Sequence, residues 1–174
     1  MPELPEVESL RRSLFPYLVG NTITRVEVRK PKLVSAPGTK RIEDTDKVVE
    51  FQEQIKGEEI EDIRRRAKHL IIHFVSGKCI VIHLKMTGQL VYTKNNVHMW
   101  GGHPIQDSQE QLPNKHSHLI FYLDQGTLYY NDVRMFGYVL YYPSFSQAYQ
   151  RHAFDSLGVE PLSNDFTLPY FSQI

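Results

Sequence analysis

Pro2, Glu3 and Glu6 open the chain, and a proline beside the initiator methionine can do chemistry without a side chain. Once Met1 is removed, Pro2 presents a free secondary amine. An α-amino group titrates near ~7.7–8, so a useful fraction is unprotonated at neutral pH. An amine of this kind adds to a carbonyl to give a Schiff base, the covalent chemistry that lysine usually carries. Glu3 or Glu6 is placed to move protons to and from it. A retained Met1 would acylate the nitrogen and abolish its basicity. The other reading of these residues is a solvated lead-in to a helix.

Further candidates lie along the chain. Lys68 follows Arg64-Arg65-Arg66 at the start of a strand, where it is either a solvated basic edge or a phosphate contact. Asn131-Asp132-Val133-Arg134-Met135-Phe136-Gly137 falls between two strands and reads as a tight turn. An Arg and a Phe on one turn tip suit stacking and wedging, since apolar wedges beside cations unstack and kink DNA; the alternative is a structural turn whose Phe packs inward. Met86, before Thr87-Gly88, is another apolar residue on a loop tip. His116 and His118 share a strand face that would suit a metal, but no third ligand is spaced to join them, which favours hydrogen-bonding strand histidines. No glycine-flanked serine nucleophile and no phosphate loop is present.

Composition narrows the class. The 174 residues are 41% hydrophobic, enough for one domain with a proper core. No apolar run reaches the ~18 residues of a membrane span and no signal peptide is recognisable, so a soluble, cytoplasmic protein without a membrane partner is expected. The single cysteine, Cys79, excludes an internal disulfide and a cysteine-rich zinc site within this chain. Lys plus Arg equals Asp plus Glu at 20 each, which counts against a uniformly basic nucleic-acid binder but leaves room for one basic face.

The elements that must position these residues are legible from periodicity. Val7, Leu10, Leu14, Phe15 and Leu18 recur at helical spacing, and Pro16 is expected to kink or end that helix near Phe15. Residues 23–28 alternate as a strand, 32–45 read as a loop, and 48–55 as a short helix stopped at Gly57. From 59 to 142 the pattern is β, with hairpins at Ser76-Gly77 and Asp124-Gln125-Gly126. Residues 94–115 form a long polar interruption, the length of a functional loop. Ser144 or Ser146 caps a last short helix. The expected fold is mainly β with α: a β-sandwich of antiparallel strands with flanking helices.

Six segments taken in order resemble one family, the bacterial formamidopyrimidine-DNA glycosylases, related to endonuclease VIII. They are Pro2-Glu3-Leu4-Pro5-Glu6-Val7-Glu8, Arg65-Arg66-Ala67-Lys68-His69-Leu70, His83-Leu84-Lys85-Met86-Thr87-Gly88, Lys115-His116-Ser117-His118, residues 132–137, and Leu157-Gly158-Val159-Glu160-Pro161-Leu162. Leu4 resembles the formamidopyrimidine branch, since the other branch typically has Gly there. The resemblance implies a bifunctional DNA glycosylase/AP lyase for oxidised purines (8-oxoguanine and formamidopyrimidines). Pro2 would attack C1′, form a Schiff base and drive β,δ-elimination. Glu3 would act as general acid/base, Glu6 would support the amine, and Lys68 would orient a phosphate. Met86, Arg134 and Phe136 would fill the gap left by a flipped-out nucleotide. His116 and the Arg64-Arg65-Arg66 cluster would contact the DNA backbone. The implied partner is double-stranded DNA holding oxidised bases or abasic sites, bound by a monomer in a bacterial, nucleoid-associated setting.

The chain departs from the family pattern in three ways. Met135 stands at the second basic position of the turn, the 94–115 loop is longer than usual, and the family's helix–two-turns–helix domain and four-cysteine zinc finger do not appear. Residues 1–156 therefore read as a catalytic domain and 157–174 as a linker with the start of the helical domain. No cofactor is expected in this chain; the family's single zinc ion belongs to the zinc finger. Impaired DNA binding follows as an expectation. Two alternatives are a non-catalytic remnant that binds damaged DNA, and an endonuclease VIII-like activity on oxidised pyrimidines.

Overall fold

A computed structural model describes residues 2–37, 41–95, 97–102 and 111–172. Two antiparallel sheets face each other. The first has strand order β1-β7-β8-β5-β6, and the second β2-β3-β4-β9. Their ranges are β1 Ile23–Val28, β2 Ile60–Arg66, β3 His69–Phe74, β4 Cys79–His83, β5 Gly88–Lys94, β6 Val97–Gly102, β7 Ser117–Leu123, β8 Gly126–Asp132 and β9 Tyr138–Tyr142. The inner faces supply one core that includes Ile23, Phe51, Ile63, Phe74, Ile82, Leu90, Phe121 and Tyr130. The β-sandwich expectation is met, and the β3–β4 and β7–β8 hairpins stand where turn chemistry places them.

A sandwich of open sheets has four edge strands, and each edge is a row of unpaired backbone groups. Helices cover them in pairs. Helix α1 (Leu4–Leu18) packs on β6 and β2, the edges on one flank. Helices α2 (Lys32–Ser35) and α3 (Thr45–Ile55) cover the other flank, α3 against β1 and both against β9. Asp44 caps α3 by accepting from the backbone N–H groups of Asp46 and Lys47. The close approach of α1 to β6 requires a glycine: a Cβ on Gly101 would stand 2.6 Å from Leu10 Cδ1. A fourth helix, α4 (Phe145–Arg151), is capped by Ser144 and leads through a 3-10 turn at Phe154–Ser156. The last helical turn is α5, Leu168–Phe171.

Three sequence expectations need correction. Helix α1 runs through Pro16 to Leu18, because a proline two residues before the end removes only one bond and Val19 still donates to the Phe15 carbonyl at 3.2 Å. The 32–45 loop contains α2. The long polar interruption contains β6, which pairs with β5 from Gln89↔Gly102 to Lys94↔Val97; its residues 96 and 103–110 lie outside the described part. No helix among the described residues is long and apolar enough to cross a membrane.

Candidate nucleic-acid interface and reactive end

Strand register brings the candidates to one end of the sandwich. In the second sheet, Arg66, His69, His83 and Tyr138 form one cross-strand row. Lys68 immediately precedes that row, Met86 follows it, and Phe136 leads into it. In the first sheet, Gly88 pairs with Asp132, and Gln89, Asn131 and Ser117 form the adjacent row. His116, Thr87 and Arg134 lie just beyond it. The segments 84–87 and 133–137 cross between the sheets at this same end. The alternation of side chains along a strand cannot reveal this convergence; it depends on which strands are neighbours.

Lys68 anchors the N-terminus to this end. Its Nζ lies 2.7 Å from Glu3 Oε2. Glu6 reaches back over the first turn of α1, its Oε2 accepting the Glu3 backbone N–H at 2.5 Å. Anions suit this position because the first-turn N–H groups are unpaired. Pro2 is buried beside this pair in sequence, and Glu3 is exposed. An exposed pair such as Glu3–Lys68 contributes at most about 1 kcal/mol to stability, so holding the fold together is not its main effect. It brings a cation to the carboxylate of the residue that follows Pro2.

Asp132 organises the other half. It is fully buried. Its Oδ1 accepts from Thr87 Oγ1 at 2.5 Å and from the Met135 N–H at 3.0 Å. Its Oδ2 accepts from Tyr130 O–H at 2.9 Å and the Gly137 N–H at 3.1 Å. Thr87 in turn accepts the Arg134 N–H at 2.9 Å. One carboxylate thus ties the loop carrying Met86 to the turn carrying Arg134 and Phe136. Gly137 is required because a Cβ there would fall 1.9 Å from the Tyr130 hydroxyl. Met86 is 38% exposed, Phe136 is half-buried, and the Arg134 guanidinium sits 5.2 Å from the Phe136 ring centroid. An apolar tip and a stacked cation are therefore presented together. His116 joins this turn through its carbonyl, which accepts the Asp132 N–H at 3.0 Å. The role of Asp132 is not visible in its motif, where it is one turn former among several; burial alone distinguishes it.

Met135 has an outcome of its own. It adopts a left-handed φ of 57°, and its side chain packs against the core. The Arg41 guanidinium donates to the Met135 carbonyl through Nη2 at 3.0 Å.

Arg65 and Arg66, expected at the DNA backbone, are both engaged within the protein. The Arg65 side chain is only 6% exposed, held between Glu8 Oε2 at 2.8 Å and Glu160 Oε2 at 2.5 Å. Arg66 meets Glu160 Oε1 at 2.9 Å and donates to the carbonyls of Phe154, Leu157 and Gly158. Both guanidiniums serve carboxylates and carbonyls of the protein itself. Glu8 is held down to about 2, chiefly by its hydrogen bond from Arg11, then by Arg65 and Arg12.

His69, His83, His118 and His152 are buried or half-buried and engaged in hydrogen bonds or ring packing. His118 Nε2 lies 2.6 Å from the Asp132 carbonyl oxygen. His69, His83 and His152 cluster with Tyr138 beneath α4, and burial lowers their pKa values to about 4, 3 and 4. Burial pushes the Cys79 thiol up to about 12, which opposes the thiolate that zinc requires. Among the described residues no group of three or more His, Cys, Asp or Glu side chains converges as a metal site would require.

Residues 1–139 match the family model described as the formamidopyrimidine-DNA glycosylase N-terminal domain. The formamidopyrimidine-DNA glycosylase of Heliobacterium modesticaldum is 37% identical over 173 residues, covering 98% of this chain and 54% of that protein. That of Bacillus cereus is also 37% identical, over 99% of this chain and 54% of its own length. Among solved structures, the Lactococcus lactis enzyme bound non-covalently to DNA with an AP site superposes with a TM-score of 0.73 at 28% identity, covering 98% of this chain and 56% of that one. The wild-type Lactococcus lactis enzyme in complex with DNA containing an oxidised pyrimidine gives 0.70 at 28% identity, covering 92% and 51%. The chain spans about half the length of the curated relatives it matches. With its sheet topology, N-terminal proline and single-ended site, the chain belongs to the formamidopyrimidine-DNA glycosylase family, whose N-terminal domain it carries.

Proposed function

We propose that this chain carries the chemical half of a DNA repair glycosylase with AP lyase activity on oxidised purines. The observation that carries the reading is the meeting of Lys68 with Glu3, next to Pro2, at the same end of the sandwich as Met86, Arg134 and Phe136. The Pro2 nitrogen attacks C1′ of the damaged nucleoside and the base leaves. Opening of the sugar ring, with Glu3 moving the proton, gives the Schiff base. Elimination then releases the phosphate on each side of the sugar. Lys68 orients a phosphate beside the lesion. Met86, Arg134 and Phe136 occupy the vacated stack, with Arg134 facing the orphaned base. Unstacking a nucleotide takes a few kcal/mol, least for a damaged pair, which contributes to selection. His116 contacts the DNA backbone.

Borohydride reduction tests this directly. The full chain, with Met1 removal verified by mass spectrometry, is expected to trap covalently on duplexes holding an abasic site or 8-oxoguanine. Pro2→Gly retains some trapping, and an N-terminal extension abolishes it. No adduct after verified Met1 removal would leave a non-catalytic DNA binder as the reading. The oxidised-pyrimidine DNA in one Lactococcus lactis complex motivates a parallel arm with a pyrimidine lesion; stronger trapping there would shift the substrate class.

A further inference from the structure

Ala67, the residue before Lys68, adopts a φ of 52°, a left-handed conformation that costs an alanine strain. Both its peptide groups are gripped. Glu160 Oε1 accepts the Ala67 N–H at 2.6 Å, and Arg65 Nη1 donates to the Ala67 carbonyl at 3.0 Å. The same Arg65 nitrogen meets Glu160 Oε2 at 2.5 Å, and its Nε meets Glu8 Oε2 on α1 at 2.8 Å. The contacts close a ring: α1 through Glu8 to Arg65, Arg65 to Glu160, Glu160 to Ala67, and Lys68 back to Glu3 at the N-cap of α1. Glu160 is the only member of this ring contributed by the segment that follows the sandwich.

We infer that Glu160 is a positioning residue for Lys68, fixing through the Ala67 N–H and the Arg65 guanidinium where the ammonium meets Glu3; its kinetic consequence rests on the function proposed above. A simple tether for the 157–162 segment would need only the two arginines. The hydrogen bond to a strained backbone N–H adjacent to Lys68 is what a tether does not explain. A carboxylate suits the task because it can accept from that N–H and both guanidiniums at once. Displacing Lys68 by an ångström would matter, since misplacement on that scale reduces rates by about a hundredfold in well-ordered sites.

The test uses the full chain, with Glu160→Gln, Lys68→Ala and the double variant, each first checked by thermal melting. Glu160→Asp replaces Glu160→Gln with the same expectations if the latter does not fold. The single-turnover cleavage rate at a preformed abasic site, at saturating duplex, is expected to fall about tenfold in Glu160→Gln. In the Lys68→Ala background the same change should cost less than about twofold, because the group it positions is gone. An equal loss in both backgrounds, or no loss in either, overturns the assignment. A DNA-free arm separates this from the functional reading: competitive acetylation followed by mass spectrometry. Lys68 is expected to react severalfold faster relative to exposed Lys30 once Glu160 is changed. An unchanged Lys68 reactivity overturns the positioning role whether or not the wild-type chain traps DNA, whereas a wild-type chain that traps nothing overturns only the proposed activity.

Discussion

Asp132 and Phe136 share one turn and are expected to fail in opposite ways. Asp132 is fully buried and satisfies four donors, so Asp132→Ala leaves Thr87, Tyr130 and two backbone N–H groups without their acceptor. Each orphaned buried donor costs about 1–3 kcal/mol, though not additively. The variant is expected to lose about 3–5 kcal/mol in urea denaturation. Phe136 is half-buried beneath Arg134, and Phe136→Ala should cost no more than about 1 kcal/mol of stability. Its effect belongs to binding: affinity for an abasic-site duplex should fall about tenfold or more, while affinity for intact duplex changes little, because base stacking on an aromatic ring is worth about 1–3 kcal/mol. Equal affinity losses on both duplexes would show that Phe136 packs the turn and does not enter the stack. At this scale the motif was legible and its mechanics were not. Arg134 and Phe136 declare their chemistry by type. Asp132 and Glu160 do not, because an acidic residue in a turn looks the same whether it is solvated or satisfies several buried donors.

The elements were read well where periodicity alone decides them. Helix α1, α3 and both tight hairpins follow from spacing and turn residues, whereas β6 did not, since Val97-His98-Met99-Trp100-Gly101-Gly102 alternates poorly and holds two glycines. What makes it a strand is tertiary: β5 offers a partner edge, and α1 sits close enough that only glycine fits at position 101. The contact between α4 and the second sheet was equally hidden, because nothing in the spacing of His69, His83 and His152 shows that they meet. Their burial has a measurable consequence. His69, His83 and His152 are neutral in the fold, with values near 4, 3 and 4 against an ordinary 6.5. The unfolded chain therefore binds more protons below that ordinary value, and stability rises with pH across this window. Full stability is present above about 6.5 and is lost as pH falls toward 4. Glu8 does not interfere, because its own contribution is lost only between its ordinary 4.5 and about 2. Thermal melting between pH 7 and 4.5 is expected to show a falling midpoint. His152→Phe, which keeps a ring in the stack between Tyr138 and Phe154, should flatten that slope. A slope unchanged by His152→Phe would assign the acid sensitivity elsewhere.

A net charge of zero on a chain proposed to act on DNA looks contradictory until the cations are sorted by what they touch. Arg11, Arg12 and Arg65 face Glu8, Arg65 and Arg66 face Glu160, Arg29 faces Glu27, and Arg64 faces Asp62. Much of the basic content therefore binds the protein to itself. The cation that meets its carboxylate at the reactive end is Lys68, and its partner Glu3 is more than half exposed, so a phosphate can compete for it. Counterion release follows the number of phosphates neutralised, with a slope of about −0.9 per phosphate in log affinity against log salt. If one or two further contacts accompany Lys68, this chain's slope on an abasic duplex should lie near −2 to −3. A slope of that size would give this sandwich only a small share of sequence-independent grip. Lys68→Ala should make the slope less negative by about one. Arg64→Ala should leave it unchanged, since Arg64 pairs with Asp62 and lies opposite Ile71, within β2 and away from the row at the reactive end. A titration of fluorescent duplex from ~50 to ~200 mM salt resolves a difference of one phosphate. If Arg64→Ala moves the slope as much as Lys68→Ala does, the DNA track runs along the second sheet and the single-ended site is wrong.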